Sequence, residues 1–268
     1  MIENNNIDHE SEFLQDLIDT DRFVVIVGQQ NSGKSYFIVS YINMAIKYKL
    51  YDEIHFVAPT IHVERHGSYD FMKSNKIFHL YSSFNDEIID KLKDNNRRQL
   101  LICDDATSYL IENRYNSRLV ELVTCVRHYR TTLFCLIHSL SYVLFPTLRA
   151  NINHLFIGNF MDDSLVEKVW RNFLSRKIRK YEDFSVPYDE SQQIKQNLIY
   201  FSCNAYDGVD YNVKKWELLQ FHDVVTKNGK ATIHNAKSDD QKYIEKVKTD
   251  IHKKDIKEKL IPKKKLIY

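Results

Sequence analysis

The sequence predicts an α/β fold, a mainly parallel sheet covered by helices on both faces, and three observations predict it. Short, almost continuously apolar runs recur along the first 160 residues. Segments with helical periodicity alternate with them. The first such run ends in glycine and leads at once into an amphipathic helix.

Residues 1–20 are polar apart from Phe13, Leu14, Leu17 and Ile18, which suit a short docking helix. Phe23-Val24-Val25-Ile26-Val27 is β-branched and apolar throughout, as a strand buried on both faces requires. Residues 34–48 carry Phe37, Ile38, Tyr41, Ile42, Ala45 and Ile46 on one helical face. Further strands are predicted at 53–58, 76–81, 99–103, 131–137, 154–157 and 198–202. Helices are predicted at 84–93, 115–129 and 162–175. Residues 180–235 are otherwise less regular. The expected organisation is a docking segment over 1–20, a nucleotide-binding domain over 21–235 and a basic tail over 236–268.

Composition narrows the class. The chain has 268 residues, 43% of them apolar, enough for one large domain. Cys103, Cys125, Cys135 and Cys203 are scattered without a paired motif, which reads as buried free thiols in a reducing compartment. The start lacks the basic and apolar regions of a secretory signal, and the apolar stretch 133–145 is too short to span a bilayer. A soluble, intracellular protein with no membrane span is expected. Net charge is +2, unevenly spread: residues 241–268 hold ten lysines against four acids, or +6, leaving −4 on the other 240. That tail reads either as a solvated, mixed-charge helix or as a polyanion-binding element. His62 and His66 have helical metal-pair spacing but no third ligand, and read as surface residues.

The chemistry starts at Gly28-Gln29-Gln30-Asn31-Ser32-Gly33-Lys34-Ser35. Two of only six glycines fall in these eight residues, between an apolar strand and a helix. This is the phosphate-binding loop pattern in its required context, so the fold predicted is that of a P-loop NTPase. Glycines let consecutive amides and the helix N-terminus face the phosphates. Lys34 would neutralise the β- and γ-phosphates, and Ser35 would ligate Mg²⁺ on bound ATP. The strand 99–103 ends in Asp104-Asp105. A carboxylate there stands beside the metal at the carboxyl edge of the sheet, so Asp104 is assigned to Mg²⁺ and Asp105 to polarising the attacking water. The alternative for Asp105 is a cap on the next segment. The strand 131–137 ends in His138, which either senses the γ-phosphate or is structural. Arg127, Arg130 and Arg149 are each either a finger acting on a neighbouring subunit's site or a surface ion pair.

Taken in order, GQQNSGKS (28–35), LLICDD (100–105), VRHYRTTLFCLIHS (126–139) and LRANINHLF (148–156) resemble the DNA-packaging ATPases of poxviruses and other large DNA viruses. These form a branch of the FtsK–HerA superfamily, and the resemblance covers roughly residues 20–160. It implies an ATP-driven homo-oligomeric ring that moves double-stranded DNA into a capsid, working with capsid or portal-type proteins. It also implies Arg127 as the finger acting in trans, and a place in the host cytoplasm, the viral factory or the virion. The chain departs from the wider superfamily at Asp105, often Glu there, and at His138, usually Gln. Alternatives are another DNA-translocating or helicase-type ATPase, or a P-loop kinase whose lid would be Arg176-Lys177-Ile178-Arg179-Lys180.

Overall fold

Strand β1 (Phe23–Val27) is wholly buried and lies inside an eight-stranded sheet. The computed structural model describes residues 9–59, 61, 70–93, 96–138, 146–194, 196–203, 211–212, 222–227 and 230–235. The tail expected over 236–268, and His62 and His66, lie outside the described residues. Contacts divide the chain into two compact units, Met1–Leu219 and Gln220–Tyr268.

In the first unit, α1 (His9–Asp19) precedes β1, and α2 (Lys34–Lys47) follows it. Next come β2 (Glu53–Val57), α3 (Asp70–Lys73), β3 (Phe78–Tyr81), α4 (Asp86–Lys93) and β4 (Gln99–Cys103). Then follow α5 (Thr107–Glu112), α6 (Ser117–Cys125), β5 (Thr131–Ile137), α7 (Pro146–Asn151) and β6 (His154–Ile157). The unit continues with α8 (Asp163–Val169), a π-helical turn (Trp170–Leu174), α9 (Glu182–Gln192), β7 (Ile199–Ser202) and β8 (Tyr211–Asn212). The second unit holds an antiparallel pair, β9 (His222–Lys227) and β10 (Lys230–Asn235).

The sheet order is β3-β2-β4-β5-β1-β6-β7-β8. The six strands from β3 to β6 run parallel, and β7 and β8 add an antiparallel edge. Alternation along the strands divides the core into two layers. On one face Val25, Leu101, Leu133 and Leu155 pack with Ile88, Leu122, Leu148 and Phe184 from α4, α6, α7 and α9. On the other, Phe37 and Tyr41 of α2 meet Phe156 and Phe134, with ring centroids 4.6 and 4.8 Å apart. Phe13 of α1 stands edge-on to Phe156 at 5.1 Å. Each fully buried ring contributes about 1.5–3 kcal/mol, so the helices are held to the sheet by these contacts. Helices therefore cover both faces.

Four predicted strands, β1, β4, β5 and β6, have the predicted ends; β2, β3 and β7 are shorter by one or two residues. The region expected to be irregular contains α9, which buries Phe184, Pro187, Tyr188 and Ser191 at helical spacing. The single helix expected over 162–175 instead changes to π geometry at Trp170, with the Ser175 amide donating to the Trp170 carbonyl at 2.8 Å. All four cysteines are free thiols, but only Cys103 and Cys135 are buried; Cys125 and Cys203 are half-buried. Among the described residues no helix is long and apolar enough to cross a membrane.

Candidate functional site

The loop 28–33 leaves β1 at the carboxyl edge of the sheet and is hung between its two neighbours. The Gly28 amide donates to the Ile137 carbonyl at the end of β5 (3.2 Å), and the Gln29 amide to the Asn159 carbonyl just past β6 (3.0 Å). Gln29 Oε1 accepts from the Met161 amide at 3.0 Å. Gly33 has φ 97°, the left-handed region that favours glycine, and a Cβ there would stand 2.4 Å from the Gln196 carbonyl oxygen. Asn31, at φ 65°, is a residue type that tolerates this region.

Gly158, which follows β6, is part of the same cradle. Its amide donates to the Val27 carbonyl at 2.7 Å. Ser32 is wedged between Gly28 and Gly158: a Cβ on either would lie 2.6–2.8 Å from Ser32 Oγ. The sequence carried this signal, because HLFI ends in glycine just as FVVIV does.

Lys34 opens α2 and is buried, its Nζ donating to the carbonyls of Gly28 (2.6 Å) and Gln29 (2.8 Å). Burial lowers its pKa to about 8, against the opposing pull of Asp104 and Asp105. The ammonium is thus held over its own loop with two carboxylates in electrostatic range. Ser35 follows at an exposed position.

Asp104 and Asp105 follow β4. The Asp104 amide donates to the Val57 carbonyl at 2.8 Å, and its Oδ1 accepts from the Asp105 amide at 3.0 Å. Asp105 has φ 51°, a conformation costing about 1–3 kcal/mol for a non-glycine residue. It does not cap the next helix: the N-cap of α5 is Ala106, which has no side-chain cap. Instead Asp105 Oδ1 lies 3.5 Å from His138 Nε2.

His138 Nδ1 in turn lies 3.3 Å from Lys34 Nζ, and its amide donates to Thr107 Oγ1 at 3.0 Å. One imidazole therefore bridges the loop lysine and the second carboxylate. A cleft of about 360 Å³ opens here, lined among others by Asn31, Gly33, Lys34, Ser35, Asp104 and His138. Tyr36 and Gln196, which sequence reasoning did not single out, also line it. Two further clefts of about 580 and 560 Å³ flank it. The first shares Asn31, Ser32 and Gln196; the second shares Asp104 and Asp105.

The predicted arginines do not join this cluster. Arg127 and Arg130 are exposed in the turn before β5, at the opposite edge of the sheet from the cleft. Arg149 lies on α7, ahead of β6, and donates to Asn172 Oδ1 at 2.6 Å. Arg176 and Arg179 are not among the described residues lining the cleft.

No family model matches the chain, and no curated protein matches it. Solved structures share the fold. The DNA-packaging ATPase B204 from Sulfolobus turreted icosahedral virus is 17% identical at a TM-score of 0.53, over 72% of this chain and 97% of that one. The genome packaging NTPase B204 from Sulfolobus turreted icosahedral virus 2, in complex with AMP, is 17% identical at a TM-score of 0.52, over 71% and 96%. Its complex with ATP-gammaS is 15% identical at a TM-score of 0.52, over 71% and 96%. The chain has the α/β fold of a P-loop ATPase.

Proposed function

We propose that the chain is an ATP-hydrolysing motor that translocates double-stranded DNA into a viral capsid. The observation that carries the reading is the convergence of the phosphate loop, Asp104, Asp105 and His138 on Lys34 at the carboxyl edge of the sheet. A loop whose glycines cannot accept a Cβ, ending on a buried lysine, fits a triphosphate. A hydroxyl and a carboxylate across the same cleft fit a hard divalent ion.

In this reading Ser35 and Asp104 would hold Mg²⁺, which would supply neutralisation of the phosphate charge. Lys34 leaves the loop carbonyls for the phosphate oxygens. Asp105 orients the attacking water and accepts its proton. His138 holds Asp105 and reports through Lys34 whether the γ-phosphate is present. The DNA-packaging assignment draws on the likeness to B204 and on the lysine-rich tail. In a ring, exposed Arg127 would complete the site of a neighbouring copy, and Arg149 is the weaker candidate because Asn172 holds it.

Purified chain should hydrolyse ATP, double-stranded DNA should stimulate it, and Lys34→Ala should abolish it. Hydrolysis that neither responds to DNA nor accompanies DNA binding over a range of salt would remove the motor reading and leave an ATPase of another kind. Phosphoryl transfer to a nucleotide in place of water would favour a kinase.

A further inference from the structure

The edge of the sheet opposite the nucleotide cleft carries a second constellation. Register pairs Glu53 with Gln99 and His55 with both His79 and Leu101. Side chains two apart on a strand share a face, and so do directly paired ones. Glu53, His55, His79, Tyr81 and Gln99 therefore project from one face of three adjacent strands, Glu53 and Gln99 at the strand starts and Tyr81 at the end of β3. β3, which supplies His79, is an edge strand of the sheet.

From these positions we propose that Glu53, His55 and His79 bind a zinc-type divalent transition-metal ion. Glu53 Oε2 lies 3.6 Å from His55 Nε2 and 3.8 Å from His79 Nε2, and all three ligand atoms fall within 4.8 Å of one another. Such separations are too long for hydrogen bonds. The two Glu53 separations are near the roughly 3.4 Å between ligands about 2.0–2.1 Å from one tetrahedral ion, and the wider spread of the set closes when the part-exposed His79 swings inward. Two imidazoles and one carboxylate suit zinc better than magnesium or calcium, which prefer oxygen ligands.

The surrounding groups orient the ligands as outer partners of a metal site do. His55 Nδ1 is 3.1 Å from the Tyr81 hydroxyl. In the bound form, donating Nδ1–H there frees the Nε2 lone pair for the ion in exchange for the Nε2–H bond to Gln99 Oε1, and the His79 ring, stacked on His55 with centroids 4.8 Å apart, turns to bring its own Nε2 in. Glu53 accepts from Arg97 through its other oxygen, Oε1, at 2.5 Å, which turns Oε2 toward the imidazoles. Gln99 is buried, with its Nε2 donating to the Leu92 carbonyl at 3.1 Å, so Oε1 is held 3.2 Å from His55 Nε2. It can accept from a water in the fourth position.

His55 is 2% and His79 42% exposed, so His79 is the side from which an ion enters. The Arg97 and Lys91 charges nearby oppose the incoming cation, which places its affinity below that of an all-cysteine site. The ion would pin the edge strand β3 to β2 and leave the phosphate cleft untouched.

The test uses the full chain without an affinity tag, stripped with a chelator and titrated with Zn²⁺ by calorimetry and with Co²⁺ by absorption. One equivalent should bind, with the ligand-field bands of tetrahedral Co²⁺. Zn²⁺ should raise the melting temperature. His79→Ala, at a part-exposed position, should melt like the metal-free wild type yet bind at least about tenfold more weakly. Glu53→Gln should also weaken binding, and Lys34→Ala should not. Absence of stoichiometric binding, or binding unchanged in His79→Ala, would reduce the cluster to a hydrogen-bonded sheet edge.

Discussion

Replacing Gly158 with alanine tests whether the phosphate loop is held in shape by β6. The new Cβ would stand 2.8 Å from both Cβ and Oγ of Ser32 and 3.0 Å from Leu198 Cδ2. Carbon atoms pack at about 3.5–4.0 Å, so something must move by roughly 0.7 Å or more. Gly158 is fixed by its amide bond to Val27 and by the Tyr188 hydroxyl, which donates to its carbonyl at 3.2 Å. Among the described residues, Ser32 is held by a long hydrogen bond from its amide to the Gln29 carbonyl, 3.3 Å. The loop, not the strand, therefore gives way. Overpacking of this kind costs about 1–3 kcal/mol, and spent on the loop it weakens nucleotide binding about 5- to 150-fold. The assay is titration with a non-hydrolysable ATP analogue, alongside thermal melting to show that the fold persists. Adding Ser32→Gly removes two of the three clashing atoms and should restore most of the lost affinity. Wild-type affinity in Gly158→Ala, or a double variant no tighter than the single one, would refute the wedge.

Three more outcomes follow from the site. Burial lowers the Lys34 pKa to about 8, and phosphate oxygens favour its charged form. Binding should then take up a proton near pH 8, and affinity should fall by up to tenfold per pH unit above that, with no such change below pH 7. Calorimetry in buffers of different ionisation enthalpy checks this, and a profile parallel to that of Lys34→Met would contradict it. Asp105→Asn keeps the shape of a residue that tolerates φ 51°, so nucleotide affinity should stay within a few-fold while turnover drops by about 10²–10⁴. Equal losses of binding and turnover would undo its role as base. Mixing Arg127→Ala with Asp105→Asn subunits should recover hydrolysis at mixed interfaces, and none would count against a finger acting in trans.

Much of the fold could be read from the sequence, because strands buried on both faces are apolar at every position. FVVIV is apolar throughout, and QLLIC and TTLFCLI are apolar after their first one or two residues. What escaped had mixed signals. α9 holds Pro187 in its interior and buries Ser191, so its helical spacing is masked by a helix breaker and a polar residue. The π turn at Trp170 depends on tertiary packing, with the indole Nε1 donating to the Ile178 carbonyl at 2.8 Å.

The site divides in the same way. Gly28, Lys34 and the Asp104–Asp105 pair were legible because local chain geometry carries their chemistry. His138 was half legible: its position at a strand end was plain, but its bridge between Lys34 and Asp105 needs three strands in register. Gln196 reaches the loop from residues distant in sequence, and nothing local marks it. His55 and His79 are 24 positions apart, and only strand pairing sets them side by side.

The most direct test of the central claim is steady-state ATP turnover by purified chain, with and without double-stranded DNA, for wild type and Lys34→Ala at matched assembly mass. Magnesium-dependent turnover that rises with DNA and is abolished in Lys34→Ala is the predicted result. Turnover that survives Lys34→Ala, or none in the wild type, would contradict the assignment of this cleft.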